Sequence, residues 1–172
     1  MADSISLNEH EKSTVQVAGM LHDVGHGPYS HTLEHILHER GGLDHMSITE
    51  GIILGEYDVL RNGEEKFFSN RRSIPEILES FEIEPKEVAG LIRGPDAGGT
   101  ERNLLEWVEG KQNFVFQDDT LSHLIHRPVD CDQMDYLLRD SHFTGVKHGI
   151  IDHHRLIECL ERHGGDVAVD EG

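Results

Sequence analysis

Cysteine is almost missing from this chain: two thiols, Cys131 and Cys159, in 172 residues. That is too few for a disulfide framework, and their separation excludes a CxxC metal clip, so a reducing compartment fits. Both thiols are expected to be ordinary buried ones. Long apolar runs are missing too. No stretch reaches the roughly 18 residues that a membrane span needs, and the opening MADSISLNEHEK has neither a basic nor an apolar leader region. The expectation is a cytoplasmic chain with no membrane partner.

Basic charge is scarce. Lys and Arg number 15 against 33 Asp and Glu, a net charge of -18, which repels a phosphodiester backbone over most of the surface. Polymeric DNA or RNA is therefore not an expected partner. Only five of the basic residues are lysine, and an acidic, lysine-poor surface suits a high-salt cytoplasm that screens its self-repulsion. The length allows one domain with a hydrophobic core and is short for two, so a single domain over 1–172 is expected.

Histidine is what the chain does have. Of 14, six lie between His22 and His45, and none occurs from Met46 to Ser122. Scattered surface histidine does not leave such a gap readily, and the clustering points to a site.

Strand signals are weak, and the expected class is all-α. Ser6-Leu7-Asn8-Glu9 has the form of a capping box, opening a helix to about Asp23 with Val17, Met20, Leu21 and Val24 as its apolar stripe. Gly25, Gly27 and Pro28 then stop it. A second helix, about Ser30 to Arg40, should turn Leu33, Ile36 and Leu37 inward and end at Gly41-Gly42. His31, His35 and His38 occupy its polar positions. Ser47-Ile48-Thr49-Glu50 and Ser73-Ile74-Pro75-Glu76 read as further capping boxes, and Glu84-Pro85 as another start. More helices are expected near Glu101 to Glu109, Asp118 to His126, Asp132 to Ser141 and Asp152 to Arg162, with Asn113 to Phe116 and Asp166 to Val169 as short extended pieces.

Two segments carry chemistry. LHDVGHGPYSH, Leu21 to His31, offers imidazole and carboxylate at the end of a helix, the mixed donors that a transition metal prefers. For an isolated His-Asp pair the stronger reading is a helix-terminal histidine favoured by the dipole. VDCDQMDYLLRD, Val129 to Asp140, places Met134, Leu137 and Leu138 on one helical stripe and Asp132, Tyr136 and Asp140 on another. That second stripe is either a solvated acidic face or a ligand wall.

Taken together, LHDVGHGPYSH, His45 in LDHMS and DCDQMDYLLRDSHFTG resemble the HD superfamily of metal-dependent phosphohydrolases. The branch in question contains the deoxynucleoside triphosphate triphosphohydrolases, whose signatures read HD-x-G-H-G-P-[FY]-S-H and D-x-D-x-x-D-Y-x-x-R-D. The resemblance extends from about Ser6 to the last residues and implies a partial HD-domain helical bundle. By it, His22, Asp23 and Asp132 match the metal ligands, and His26, His31 and His45 match histidines around the phosphates. Glu34 matches a supporting carboxylate, and Tyr136 and Asp140 match residues that hold the sugar of a deoxynucleotide. His35 and His38 match no role and read as structural. The implied chemistry is hydrolysis of a nucleotide-like phosphoester or phosphoanhydride, dNTP triphosphohydrolysis included. A bound ion would polarise a phosphoryl oxygen and lower the pKa of its water. His31 is the expected acid, with Glu34 and His45 as its support. The donor set suits Fe, Mn or Zn, with Mg on the nucleotide phosphates.

Two departures from that family pattern matter. Its fourth metal ligand is a histidine on a preceding helix, whereas the only upstream histidine here, His10, lies twelve residues before His22. At 1.5 Å per residue that is about 18 Å along one helix, too far to complete the site. GGDVAVDEG stops where family members continue. The expectation is the central part of a longer protein, with a weaker three-ligand ion and an exposed core that promotes homo-oligomers. The alternative function is a catalytically impaired HD module that binds nucleotide or assembles with partner subunits. A zinc peptidase is a third reading, from His22 and His26 at H-x-x-x-H spacing. Asp23 stands where that motif needs glutamate, and the glycines break its helix.

Overall fold

The computed structural model describes residues 5–40, 42–57, 71–94, 120–126, 130–164 and 166–169. Its elements are α1 (Glu9–Leu21), α2 (Ser30–Glu39), α3 (His45–Ile53), α4 (Ile74–Ser80), α5 (Pro85–Arg93), α6 (Thr120–His126) and α7 (Cys131–Thr144). A 3-10 turn (Lys147–Gly149), α8 (His153–Glu158), β1 (Leu160–His163) and β2 (Asp166–Val169) follow. The described residues are mostly helical, as the sequence indicates. The expected helix at 101–109 and extended piece at 113–116 lie outside the described residues, as do the side chains of His31, Leu33, Leu37 and His38. No described helix is long and apolar enough to cross a membrane.

Two compact units divide the chain, one of Met20–Arg93 and one of Met1–Gly19 with Gly94–Gly172. In the first, α3, α4 and α5 pack on one another. Helix α5 buries Val88, Ala89, Leu91 and Ile92, and α3 buries Ile52 and Ile53. Helix α4 starts with the capping box read from its sequence: the Ser73 amide donates to Glu76 Oε2 at 2.7 Å, and the Glu76 amide donates back to Ser73 Oγ.

Helix α3 starts elsewhere than expected. Asp44 caps it, accepting from the Ser47 amide at 2.7 Å, so Ser47 lies inside the helix. The Ser47 hydroxyl instead accepts from Arg93 at 2.9 Å, and Arg93 also pairs with Glu50 at 3.3 Å, joining α3 to the end of α5. Burial lifts the Glu50 carboxyl above its usual range. Arg93 only partly offsets this, and the charges of Glu56 and Asp44 add to it. At Asp44 burial also opposes ionisation, but hydrogen bonds from Ser47 and the charges of Arg93 and His45 outweigh it and hold the carboxyl below its usual range. A depressed folded-state pKa stabilises above the unfolded value of 3.8 and loses that contribution as pH falls through the folded value. Asp44→Ala is expected to cost about 1 kcal/mol in urea unfolding at pH 7. Asp44→Asn should keep most of the cap and flatten the acid limb of the stability profile.

In the other unit, the buried positions of α1 are Thr14, Val15 and Ala18, one helical face away from the expected stripe; Met20 is 80% exposed. The Thr14 hydroxyl donates to the His10 carbonyl, so its buried oxygen is satisfied within the helix. The helix opens at Glu9 because Asn8 and Glu11 cap it reciprocally, at 2.8 and 2.9 Å. Ser6 has φ 56 and lies in the turn before it. Ile36 of α2, expected to face inward, is exposed.

Helix α7 is capped by Asp130, which accepts from the Gln133 amide, and is closed by Gly145 at φ 70. The 3-10 turn packs on α7, and Gly149 comes so close to the Leu137 carbonyl that any side chain would collide with it. Helix α8 ends at Glu158, short of Arg162, because Leu160–His163 pairs antiparallel with Asp166–Val169. Cross-strand pairing overrides the weak helical preference of those residues. His123 on α6 holds Asp166 of β2 at 2.7 Å. Cys131 is exposed and Cys159 half-buried, so neither is the fully buried thiol expected.

Candidate active site

Helix α1 ends at Leu21, so His22 and Asp23 sit in the tight turn beyond it and not on the helix itself. The Val24 amide donates to the Leu21 carbonyl and the His26 amide to the Asp23 carbonyl, both at 3.0 Å. Helical bonds no longer fix this turn; α3 holds it from the side. Thr49, fully buried, donates its hydroxyl to the His22 carbonyl at 3.2 Å and accepts the Gly25 amide at 3.0 Å.

Within this turn Asp23 Oδ1 lies 3.4 Å from His22 Nε2 and 3.3 Å from His26 Nε2. Two donor atoms each about 2.1 Å from one ion stand roughly 3.0 to 3.4 Å apart at octahedral or tetrahedral angles. The separation of His22 and Asp23 fits that geometry, and a neutral imidazole with a carboxylate is the right chemistry for it. The turn also ends the zinc-peptidase alternative, since His22 and His26 do not share a helix.

A second group of side chains adjoins it in the same unit. His26, Glu34 and His45 place one ligand atom each within 4.8 Å of one another. The rings of His26 and His45 stack with centroids 4.0 Å apart and planes at 13°. Glu34 Oε1 accepts the backbone amide of His45 at 2.9 Å and meets its Nδ1 at 2.5 Å. That carboxylate sets the proton on Nδ1 and leaves Nε2 as the other proton site of the ring. Glu34 Oε1 is thus committed twice to His45.

Asp132, Tyr136 and Asp140 lie on α7 in the other unit. Asp132 is in its first turn and exposed, Tyr136 is half-buried and Asp140 exposed, at the four-residue spacing that keeps them on one helical face. Asp135 and Arg139 pair at 3.1 Å on a neighbouring face. Helix α2 carries His31, and His35 on the same helix is exposed beside Glu39. Sequence reasoning missed Thr49 and Gly25 as parts of the site. The sequence pattern sets Thr49 in a capping box and Gly25 at a helix stop, and no local pattern marks a hydroxyl whose partner is 27 residues away.

An uncharacterized protein of Mycoplasma pneumoniae is 35% identical over 155 residues, which is 90% of this chain and 30% of that protein. Human SAMHD1, a deoxynucleoside triphosphate triphosphohydrolase, is 26% identical over 169 residues, covering 90% of this chain and 24% of its own length. The crystal structure of a phosphohydrolase from Bacteroides thetaiotaomicron superposes with a TM-score of 0.56 at 22% identity, over 95% of this chain and 30% of that one, a likeness of fold. The chain thus spans about a third or less of the curated relatives it matches. The HD domain profile matches residues 1–94, more than half of the sequence. That span includes the His22–Asp23 turn, the stacked His26 and His45 and the carboxylate of Glu34, and with it the chain belongs to the HD domain family.

Proposed function

We propose that this chain carries the catalytic centre of a metal-dependent phosphohydrolase acting on a nucleotide, with deoxynucleoside triphosphates as the favoured substrate class. The observation that carries this reading is the pairing, in one compact unit, of a His–Asp turn at ion-sharing distance with a carboxylate-held histidine stacked on a second imidazole. Human SAMHD1, by its name a deoxynucleoside triphosphate triphosphohydrolase, supports the substrate class.

In this reading His22, Asp23 and Asp132 hold a divalent Mn, Fe or Zn ion, which when bound supplies Lewis acidity and a water of lowered pKa. His26, His31 and His45 neutralise phosphate charge. His31 gives its proton to the leaving oxygen. Glu34 fixes the tautomer of His45 and keeps its ring oriented as support for that acid. Tyr136 and Asp140 hold the sugar, the phenol by stacking or hydrogen bonding and the carboxylate by accepting from a hydroxyl. Mg enters with the nucleotide phosphates.

The test is release of phosphate, pyrophosphate or triphosphate from deoxynucleoside and ribonucleoside mono- and triphosphates, and conversion of cyclic nucleotides to monophosphates, with Mn, Fe or Zn added. Turnover of deoxynucleoside triphosphates that is lost on chelation is expected. A protein that binds these nucleotides with micromolar affinity yet turns over none of them, metal-loaded, would instead be the impaired binding module.

A further inference from the structure

The His22–Asp23 turn and the His45–Glu34 pair come from different elements, and a hydrolytic centre needs them in fixed register. Beyond the end of α1 the turn has only short-range backbone bonds of its own. One helix touches both groups. His45 opens α3 and Thr49 lies one turn later, with its hydroxyl bonded to the carbonyl of His22 and to the amide of Gly25. The Thr49 side chain is completely buried; its bond from the Gly25 amide is buried and its bond to the His22 carbonyl partly so. The absence of a Cβ at Gly25 lets the turn settle this close: a side chain there would sit 2.5 Å from both the amide nitrogen and the hydroxyl of Thr49.

We propose that Thr49 is a positioning residue for the hydrolytic centre. By gripping the turn at both ends, its hydroxyl holds the ligand atoms of His22 and Asp23 at a fixed distance from the proton-handling pair His45–Glu34. Thr49 touches neither substrate nor ion. It acts through the backbone of the turn, in the way that groups behind metal ligands commonly tune affinity. The proposal rests on the phosphohydrolase reading for its purpose, and on the hydrogen bonds alone for its mechanism.

Two variants test it. Thr49→Val keeps the branched shape and removes the hydroxyl; Thr49→Ser keeps the hydroxyl and removes a methyl. In metal-free protein, Thr49→Val should speed exchange of the Gly25 amide by about tenfold and move the imidazole nitrogen resonances of His22 and His45 together. Thr49→Ser should leave both near wild type. In a manganese titration, Thr49→Val should weaken binding by roughly 10- to 100-fold, with Thr49→Ser within about threefold of wild type on the same scale. A merely structural threonine would lower the melting temperature without changing Gly25 exchange or manganese affinity well below that temperature, and that result overturns the proposal. Should Thr49→Val fail to fold, Thr49→Ser decides: wild-type exchange and affinity support the role of the hydroxyl, and loss of either overturns it. Wild-type protein that takes up no manganese would sink the hydrolase reading, while the metal-free exchange and resonance data still judge the positioning role separately.

Discussion

Asp132→Asn is expected to cut nucleotide hydrolysis by about 10³-fold while leaving the fold intact. The two halves of that expectation have separate causes. Asp132 is exposed in the first turn of α7, capped independently by Asp130. Losing its charge removes a favourable term with the helix dipole, about 0.5 kcal/mol. An amide, by contrast, is a poor substitute for an anionic ligand. Weakening the ion forfeits several kcal/mol of charge stabilisation in the transition state, and each 1.4 kcal/mol is about a factor of ten in rate. His22 and Asp23 belong to one compact unit and Asp132 to the other, so this substitution asks directly whether one ion draws on both. Metal content per chain and initial rates should fall together, with the urea midpoint nearly unchanged. A variant that keeps its metal and turns over within threefold of wild type would remove Asp132 from the site.

How legible the molecule was in its sequence depended on whether the deciding interaction was local. Three stretches have the S-x-x-E form, and only Ser73–Glu76 is a capping box. At α1 and α3 the polar residues Asn8 and Asp44 take the cap instead, and Glu50 turns to Arg93 on another helix. Asn and Asp cap as well as Ser does, so the motif alone cannot choose among them; the packing of α3 on α5 does. Helix α8 shows the same limit, since Leu160 to Arg162 join a strand whose partner is met only after the Gly164 turn. Residues around the candidate site were easier to find. His22, Asp23, His26, Glu34 and His45 are all polar groups of the right chemistry in one short stretch, and the structure places them in one unit. The supports behind them carry no such signature. A threonine inside a helix reads the same whether its hydroxyl bonds back to its own helix, as Thr14 does, or reaches a distant turn, as Thr49 does.

Gly25→Ala is expected to be the most damaging addition of a single methyl group in this unit, costing about 3 kcal/mol, at the upper end of what overpacking does. Gly25 has no need of a left-handed conformation; its constraint is contact. The new Cβ would collide with the His45 carbonyl and lie 2.5 Å from the Thr49 amide nitrogen and hydroxyl. Those are backbone atoms of α3 and a buried side chain, and none of them can swing aside as the end of a flexible chain would. Relief therefore requires the turn to move off α3, which breaks the bonds from Thr49 to His22 and from Gly25 to Thr49 together. Gly27→Ala provides the comparison, because an added Cβ there meets nothing within 4 Å, and its effect should stay within about 0.5 kcal/mol. Urea unfolding of both variants measures the difference, and manganese affinity should fall only for Gly25→Ala. Equal midpoints for the two would mean that the His–Asp turn does not rest against α3, and the physical basis for its registration with His45 would be gone.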